Sequence, residues 1–107
     1  MTALISMAKI IYNVTVSIEP DVEQAWITWM RNVHIPEVVE AGGFTEARFS
    51  RVLNGEGDNS YSIQYLAESM DVYENYRNTA AARMQQKAKD LFENKFVAFR
   101  TLLELID

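Results

Sequence analysis

Few side chains of this chain could do acid–base or ligand-binding chemistry. His34 is the single histidine among 107 residues, and histidine is the side chain whose ordinary pKa lies nearest to neutral pH. It lies in the segment WITWMRNVHIPEVVEAGGF, residues 26–44, and could act as a general base or as a haem ligand. Polar residues in otherwise strand-like segments are the candidates for binding a small anion or a polar aromatic metabolite. They are Asn13, Arg48, Gln64 and Arg100.

The composition excludes several classes of site and partner. The chain has no cysteine, which removes disulfides, thiol nucleophiles and thiolate metal sites. With one histidine, a zinc site would need mostly carboxylate ligands, which is unusual, so we expect no metal and no cofactor. The net charge of -5 disfavours nucleic acid and anionic membranes as partners. No apolar run reaches the ~18 residues of a membrane span, and we expect a cytoplasmic protein.

The first half of the domain reads as a strand, a helix and a second strand. Alternating apolar residues predict a strand over residues 10–18. A helix should follow from about residue 20 to His34, because Pro36 disfavours helical geometry just before it. Its predicted buried stripe has helical spacing and comprises Val22, Trp26, Trp29, Met30 and Val33. A short turn over 36–41 should end at Gly42 or Gly43 in a left-handed conformation.

The second half reads as two strands, a long helix and a final strand. Strands are predicted over 44–53 and 61–67, joined by a hairpin loop at 54–58. A helix should begin after Ser69 and run to about residue 93. Its predicted buried stripe is Tyr73, Tyr76, Ala80, Met84, Ala88 and Leu91. The segment FVAFRTLLEL, residues 96–105, predicts a strand that is apolar on both faces.

The predicted element order is βαββαβ. With right-handed crossovers, this order forms a ferredoxin-like α+β fold, in which two helices cover one face of a four-stranded antiparallel sheet. The other face would stay open, and a last strand that is apolar on both sides needs that face covered. We therefore expect a homodimer in which two sheets face each other as a dimeric α+β barrel. Residues 9–107 should form this single domain, and residues 1–8 a leader or a cloning remnant.

The chain resembles a bacterial family catalogued as domain of unknown function 4286, over residues 9–106. The resemblance rests on IIYNVTVSI, on W-x-x-W-M-x-x-V-H-I-P-x-V followed by G-G-F, on a tyrosine-rich strand ending in E-S-M, and on FVAFRTLLEL. More distantly, the chain is similar to the dimeric α+β barrel superfamily, which includes antibiotic-biosynthesis monooxygenases and haem-degrading oxygenases. These resemblances imply the fold and dimerisation, and they imply no reaction.

The haem-degrading relatives use an asparagine on the first strand, a tryptophan on a strand and a histidine on the second helix. Asn13 matches the first of these residues. The other two do not carry over, because Trp26, Trp29 and His34 all fall on the predicted first helix.

The candidate residues also have structural interpretations. His34 could cap the end of the first helix, where its cation would favour the helix dipole and its ring would hydrogen-bond the chain turning at Pro36. Trp26 and Trp29 have the spacing of a buried stripe and are predicted to be core residues. Arg48 and Arg100 could form a structural network with Glu46 and Glu104, although the face on which Arg100 lies is left open by the pattern.

Three hypotheses for the function follow. The first is a homodimer that binds a small metabolite between or beside the sheets, as a cofactor-independent oxygenase or isomerase would. The second is a noncatalytic structural or regulatory dimer, because no complete catalytic constellation is visible in the sequence. The third is haem binding through His34.

Overall fold

Residues 8–54 and 59–107 are described by a computed structural model. The predicted hairpin loop at 54–58 therefore lies outside the described residues except for Asn54, and the predicted leader lies outside them except for Ala8. The strands are β1 (Ile10–Ile18), β2 (Glu46–Arg51), β3 (Ser60–Ala67) and β4 (Phe96–Glu104). The helices are α1 (Glu23–Trp29), α2 (Ile35–Gly42), α3 (Met70–Thr79) and α4 (Ala81–Phe92), with a 3-10 turn at Pro20–Val22 and a π turn at Met30–His34.

The four strands form one antiparallel sheet in the order β2-β3-β1-β4. This order and the helical cover confirm the predicted ferredoxin-like fold. The face of the sheet toward the helices, called the inner face, carries the alternating apolar residues of β1 and β3. Of these, Ile10, Tyr12, Val16, Ile18, Tyr61, Ile63, Tyr65 and Ala67 are buried in one core.

The register of β4 decides which of its side chains face the helices. Val14 of β1 is paired with Arg100, and Thr15 is paired with Phe99. Directly paired residues in a sheet point to the same face, so Arg100 lies on the inner face with Val14. The face away from the helices, called the outer face, receives Phe99 instead. The sequence left the face of Arg100 open, and the register separates it from the outer-face residues Asn13, Arg48 and Gln64.

The first helical segment continues past Pro36, contrary to the prediction that it ends at His34. A proline ring clashes with the carbonyl four residues earlier in an α-helix. Here the preceding turn is a π turn, and the Ile35 amide donates to the carbonyl of Met30, five residues back. This wider turn gives the ring of Pro36 room that an α-helical turn would deny it. The helix then ends as predicted, at Gly43 in the left-handed conformation with φ 66°.

The second helical segment is broken at Ala80 rather than continuous. Ala80 has φ -130° and ψ -22°, outside the helical region. The Thr79 hydroxyl just before it donates to the carbonyl of Asn75 at 2.6 Å, and such back-bonding to the preceding turn bends helices. The predicted stripe holds for Tyr76, Ala80 and Met84, which are buried, but Leu91 is exposed.

Candidate functional site

A cavity of about 50 Å³ lies between the inner face of the sheet and the helices. Most of its wall is apolar and comes from β1, β3, β4 and the helical segments, including the buried Trp26 and Ile63. The side chains with polar atoms in this wall are Tyr12, Trp26, His34, Tyr65, Tyr76, Gln85 and Arg100. The most reactive residue predicted from the sequence, His34, is thus inside the fold rather than at its rim.

The π turn explains why His34 lies deeper than its spacing predicts. In a regular α-helix, His34 would lie roughly 80° around the axis from Trp26, at the edge of the buried stripe. A π turn advances less around the axis per residue, so it rotates His34 back toward the line of Trp26 and Met30. All three side chains are buried and line the same cavity. Single π turns of this kind occur frequently at functional sites.

The imidazole of His34 is buried, uncharged and incompletely hydrogen-bonded. The residue is 9% exposed, and its ring stacks on that of Trp29 with centroids 4.4 Å apart. Burial lowers its pKa to about 4, and the charges of Lys87 and Arg100 add to this lowering against an opposing contribution from Glu37. Its Nδ1 atom has no hydrogen-bond partner within the described part of the chain. The helix-capping interpretation of His34 is therefore wrong, since it required a cation at a helix end.

Arg100 lines the cavity together with three tyrosines, and as a residue of the edge strand it is also exposed to solvent. Its Nε atom donates to the Tyr12 hydroxyl at 3.1 Å. Burial raises the pKa of Tyr12, of Tyr65 and of Tyr76, and in each case the positive charge of Arg100 opposes the increase. All three phenols therefore stay protonated at neutral pH.

An open groove of about 570 Å³ lies outside the cavity, between α4 and the edge strand β4. Five residues line both the groove and the cavity, so the two spaces share a wall. These shared residues are Gln85, Ala88, Phe96, Ala98 and Arg100. The outer part of the groove carries Lys89, Asp90 and Glu93. Because the two spaces share these residues, the groove adjoins the cavity along β4.

The outer-face candidates are brought together, but without an enclosed site. Asn13 and Arg48 are both paired with Gln64 across the sheet. Asn13 is already satisfied, because its Oδ1 accepts from Ser62 at 2.7 Å and its Nδ2 donates to Thr15 at 3.1 Å. The side chain of Arg48 is 75% exposed and lies 3.6 Å from Glu46. Their role in ligand binding stays a prediction.

The sequence interpretation missed the phenols as site residues. Tyr76 was predicted in a buried helical stripe, and Tyr12 and Tyr65 fall in two of the predicted strands. Their rings are packed together, with the Tyr12 centroid 5.7 Å from Tyr65 and 5.8 Å from Tyr76. The available signal was the choice of tyrosine over phenylalanine at buried positions, since a buried hydroxyl usually has a polar partner.

Residues 8–54 and 59–107 contain no group of three or more histidine, aspartate or glutamate side chains arranged to hold a metal ion. No helix there has the length and apolar character needed to cross a membrane.

Comparison with known proteins gives a family and a fold. A family model described as domain of unknown function 4286 matches residues 9–106. Among solved structures, a candidate antibiotic biosynthesis monooxygenase from Bordetella bronchiseptica has a TM-score of 0.70 and 16% identity, covering 94% of this chain and 99% of that chain. A dimeric ferredoxin-like protein from an uncultured marine organism has a TM-score of 0.65 and 13% identity, covering 94% and 97%.

A third similar structure is that of SnoaB, a cofactor-independent oxygenase from Streptomyces nogalater. It has a TM-score of 0.64 and 12% identity, covering 92% of this chain and 94% of that chain. No curated protein sequence matches the chain. At these identities the similar structures establish the shared fold alone.

Proposed function

The chain belongs to the family of domain of unknown function 4286, and we propose that it binds a small, mainly apolar molecule between the sheet and the helices, with His34 as its hydrogen-bonding partner. The molecule would extend from the cavity into the groove between α4 and β4. We further propose that the protein is a homodimer. The binding site is thus placed on the helix side of the sheet, not between two facing sheets.

The observation that carries the proposal is the unpartnered Nδ1 of His34. A buried polar atom without a hydrogen bond costs about 1–3 kcal/mol, and such an atom in a native structure calls for an explanation, such as a catalytic role or a bound water or ion. His34 is also held in place, because it is stacked on Trp29 and belongs to a π turn. A bound molecule with a hydroxyl group would satisfy this nitrogen.

The dimensions of the two spaces support a ligand that spans both. The cavity, at about 50 Å³, holds the equivalent of a few water molecules. The groove, at about 570 Å³, lies within the ~300–1,000 Å³ range of small-molecule sites. A haem group is far larger than the cavity around His34, so the geometry gives the haem-binding hypothesis no support.

The protonation state of His34 favours binding over proton transfer. Its pKa of about 4 keeps the ring neutral and able to accept a hydrogen bond at pH 7. A general base works best when its pKa is near the operating pH, and His34 is weaker than that. Oxygenation or isomerisation that begins with proton abstraction is therefore the second candidate function, and it would require the bound ligand to raise the pKa of His34.

The outer face supports the homodimer. Its β4 residues Val97, Phe99 and Leu103 are apolar and exposed. Val97 and Phe99 are neighbours on this face, whereas the polar Thr101 separates them from Leu103, and exposed apolar residues gathered on one sheet face favour an interaction site there. A second copy offers the same strip in a symmetric contact. A dimer formed through this contact is compatible both with the proposed ligand-binding function and with the alternative of a noncatalytic structural or regulatory dimer.

Phenol and toluene, which differ by a hydroxyl in place of a methyl, test the binding function. Met30 and Met84 line the cavity, whereas Met70 is exposed outside it, so methionine methyl NMR reports both affinity and location. We expect both probes to shift Met30 and Met84 and to leave Met70 unchanged. The ratio of phenol to toluene affinity should fall about fivefold in His34→Phe, the effect of one net hydrogen bond.

His34→Gln serves as the matched control, because its amide oxygen can still accept a hydrogen bond and the ratio should be largely kept. Toluene binding retained by His34→Phe would show that the cavity is intact in that variant. Probes that shift no cavity methyl, or an unchanged affinity ratio in His34→Phe, would contradict the proposed function.

A further inference from the structure

We infer that the natural ligand is an aromatic carboxylate whose carboxylate group binds Arg100, where the cavity meets the groove. This inference rests on the proposed binding function and adds the chemical class of the ligand. Its apolar ring would span the cavity and the adjoining groove, because the cavity of about 50 Å³ is smaller than the ~150 Å³ that holds a benzene ring, and its charged group would lie on the groove side.

The charge distribution of the cavity wall is one-sided. Among the described residues that line the cavity, Arg100 is the one that carries a formal charge at neutral pH. The other titratable groups in the wall are His34, with its lowered pKa, and the tyrosines, which stay protonated. Arg100 is exposed at the edge strand, so its charge is solvated in the free protein and a carboxylate can reach it from the groove.

Arg100 is not neutralised by the protein itself. Its contact in the described chain is the Nε hydrogen bond to the uncharged hydroxyl of Tyr12 at 3.1 Å. No described carboxylate lies within ion-pair distance of its guanidinium group, unlike Arg48, Arg77 and Lys87, which each have an acidic partner. Because Tyr12 takes only Nε, the two terminal nitrogens are left to bind a carboxylate in the paired geometry that arginine favours.

The positive charge of Arg100 affects the pKa values of four other groups in the cavity wall. Its charge opposes the raised pKa of Tyr12, Tyr65 and Tyr76 and contributes to the lowered pKa of His34. These contributions favour an anion close to Arg100, whereas burial outweighs them at the three tyrosines and disfavours a charge of either sign among the buried rings. The chain as a whole has a net charge of -5, so this local preference runs against the overall charge of the protein.

An aromatic body fits the rest of the wall. Trp26 and Phe96 supply ring surfaces, and Val14, Ile63 and Ala98 supply aliphatic ones. Aromatic rings gain from offset or edge-on contacts with such rings. The end of the ligand nearer His34 would donate a hydrogen bond to this neutral ring, which provides no countercharge. The single anionic group would therefore lie at the other end, beside Arg100.

Benzoate and benzamide, which have similar shape and differ in charge, test the inference by the same methionine methyl titration. We expect the ratio of benzoate to benzamide affinity to fall about tenfold in Arg100→Gln, as expected for loss of one charge-assisted pair. Arg100→Lys keeps the charge and should retain most of the preference. Arg77→Gln removes the same charge from α3, where Arg77 pairs with Glu74 and lines neither the cavity nor the groove, and should leave the ratio unchanged.

The outcomes separate this inference from the binding function. If phenol and toluene behave as proposed but the benzoate-to-benzamide ratio is the same in the wild type and Arg100→Gln, the carboxylate assignment is overturned and the binding site stands. An equal drop in Arg77→Gln would assign the effect to net charge and would also overturn it. If no probe reaches Met30 and Met84, both proposals fall together.

Discussion

His34 makes the stability of the fold depend on pH. Burial lowers its pKa to about 4 from its ordinary 6.5, so between these values the unfolded chain takes up a proton that the folded chain does not. Stability is therefore complete above about pH 6.5 and decreases as the pH falls toward 4. The lowered pKa corresponds to about 3 kcal/mol over the whole window, of which about 2 kcal/mol is lost by pH 5.

Chemical denaturation of the wild type and His34→Phe at about pH 7 and pH 5 measures this dependence. Phenylalanine keeps a ring that can stack on Trp29 and has no proton to gain, so His34→Phe should lose much less stability over the same interval. Most carboxylates titrate lower, nearer pH 4, which keeps the interval largely specific to histidine. Equal losses in the two proteins would show that His34 is not buried in its neutral form.

Single residues also show how far the sequence could predict the site. His34 and Trp26 were identifiable because the chain has one histidine and because Trp26 has the spacing of a buried stripe. Arg100 was identifiable as a candidate, but its face was not. The last strand is apolar on both sides, so alternation cannot define its orientation, and only the pairing of Arg100 with Val14 fixes it.

At the scale of elements, β4 has two different faces with two different proposed roles. Its inner face brings Ala98 and Arg100 to the cavity, whereas its outer face exposes Phe99, which is 61% accessible. We predict that Phe99→Lys shifts the protein from dimer to monomer, because a lysine there would place a charge in the apolar contact. Size-exclusion chromatography with light scattering measures the change.

Leu91→Lys is the matched control for this substitution. Leu91 is similarly exposed at 59% but lies on α4, on the helix side of the sheet, so this variant should remain dimeric. A wild-type protein that is monomeric at micromolar concentration, or a Phe99→Lys variant that stays dimeric, would refute the sheet-to-sheet contact.

The helices show why element boundaries are harder to predict than element types. Each helical segment was predicted in the right place, yet Pro36 was expected to end the first one and Ala80 was not expected to break the second. The first error arises because a π turn can accommodate a proline, and whether it forms depends on packing against the sheet. The second arises because Thr79 bonds back to Asn75, a local choice that the apolar stripe does not encode.

At the scale of the whole molecule, the order βαββαβ was enough to predict the sheet, since crossover handedness and antiparallel pairing leave few arrangements. The position of the cavity was not predictable in this way. The polar residues Asn13, Arg48 and Gln64, which the sequence offered as ligand-binding candidates, lie on the outer face. The cavity instead lies under the helices, among residues that the apolar pattern assigns to the core. A cavity depends on how completely large side chains fill the gap between two layers, and periodicity carries no information about that.

The proposed role of His34 is to accept a hydrogen bond from a ligand inside the fold. Because the chain contains one histidine, the imidazole ¹⁵N resonances of labelled protein belong to His34 without further assignment. At neutral pH we predict an uncharged ring, and on titration with phenol we predict that one ring nitrogen shifts as it becomes hydrogen-bonded, with no such shift for toluene. Resonances of a charged imidazole at neutral pH, or phenol binding that leaves the resonances of both ring nitrogens unchanged, would contradict this role of His34.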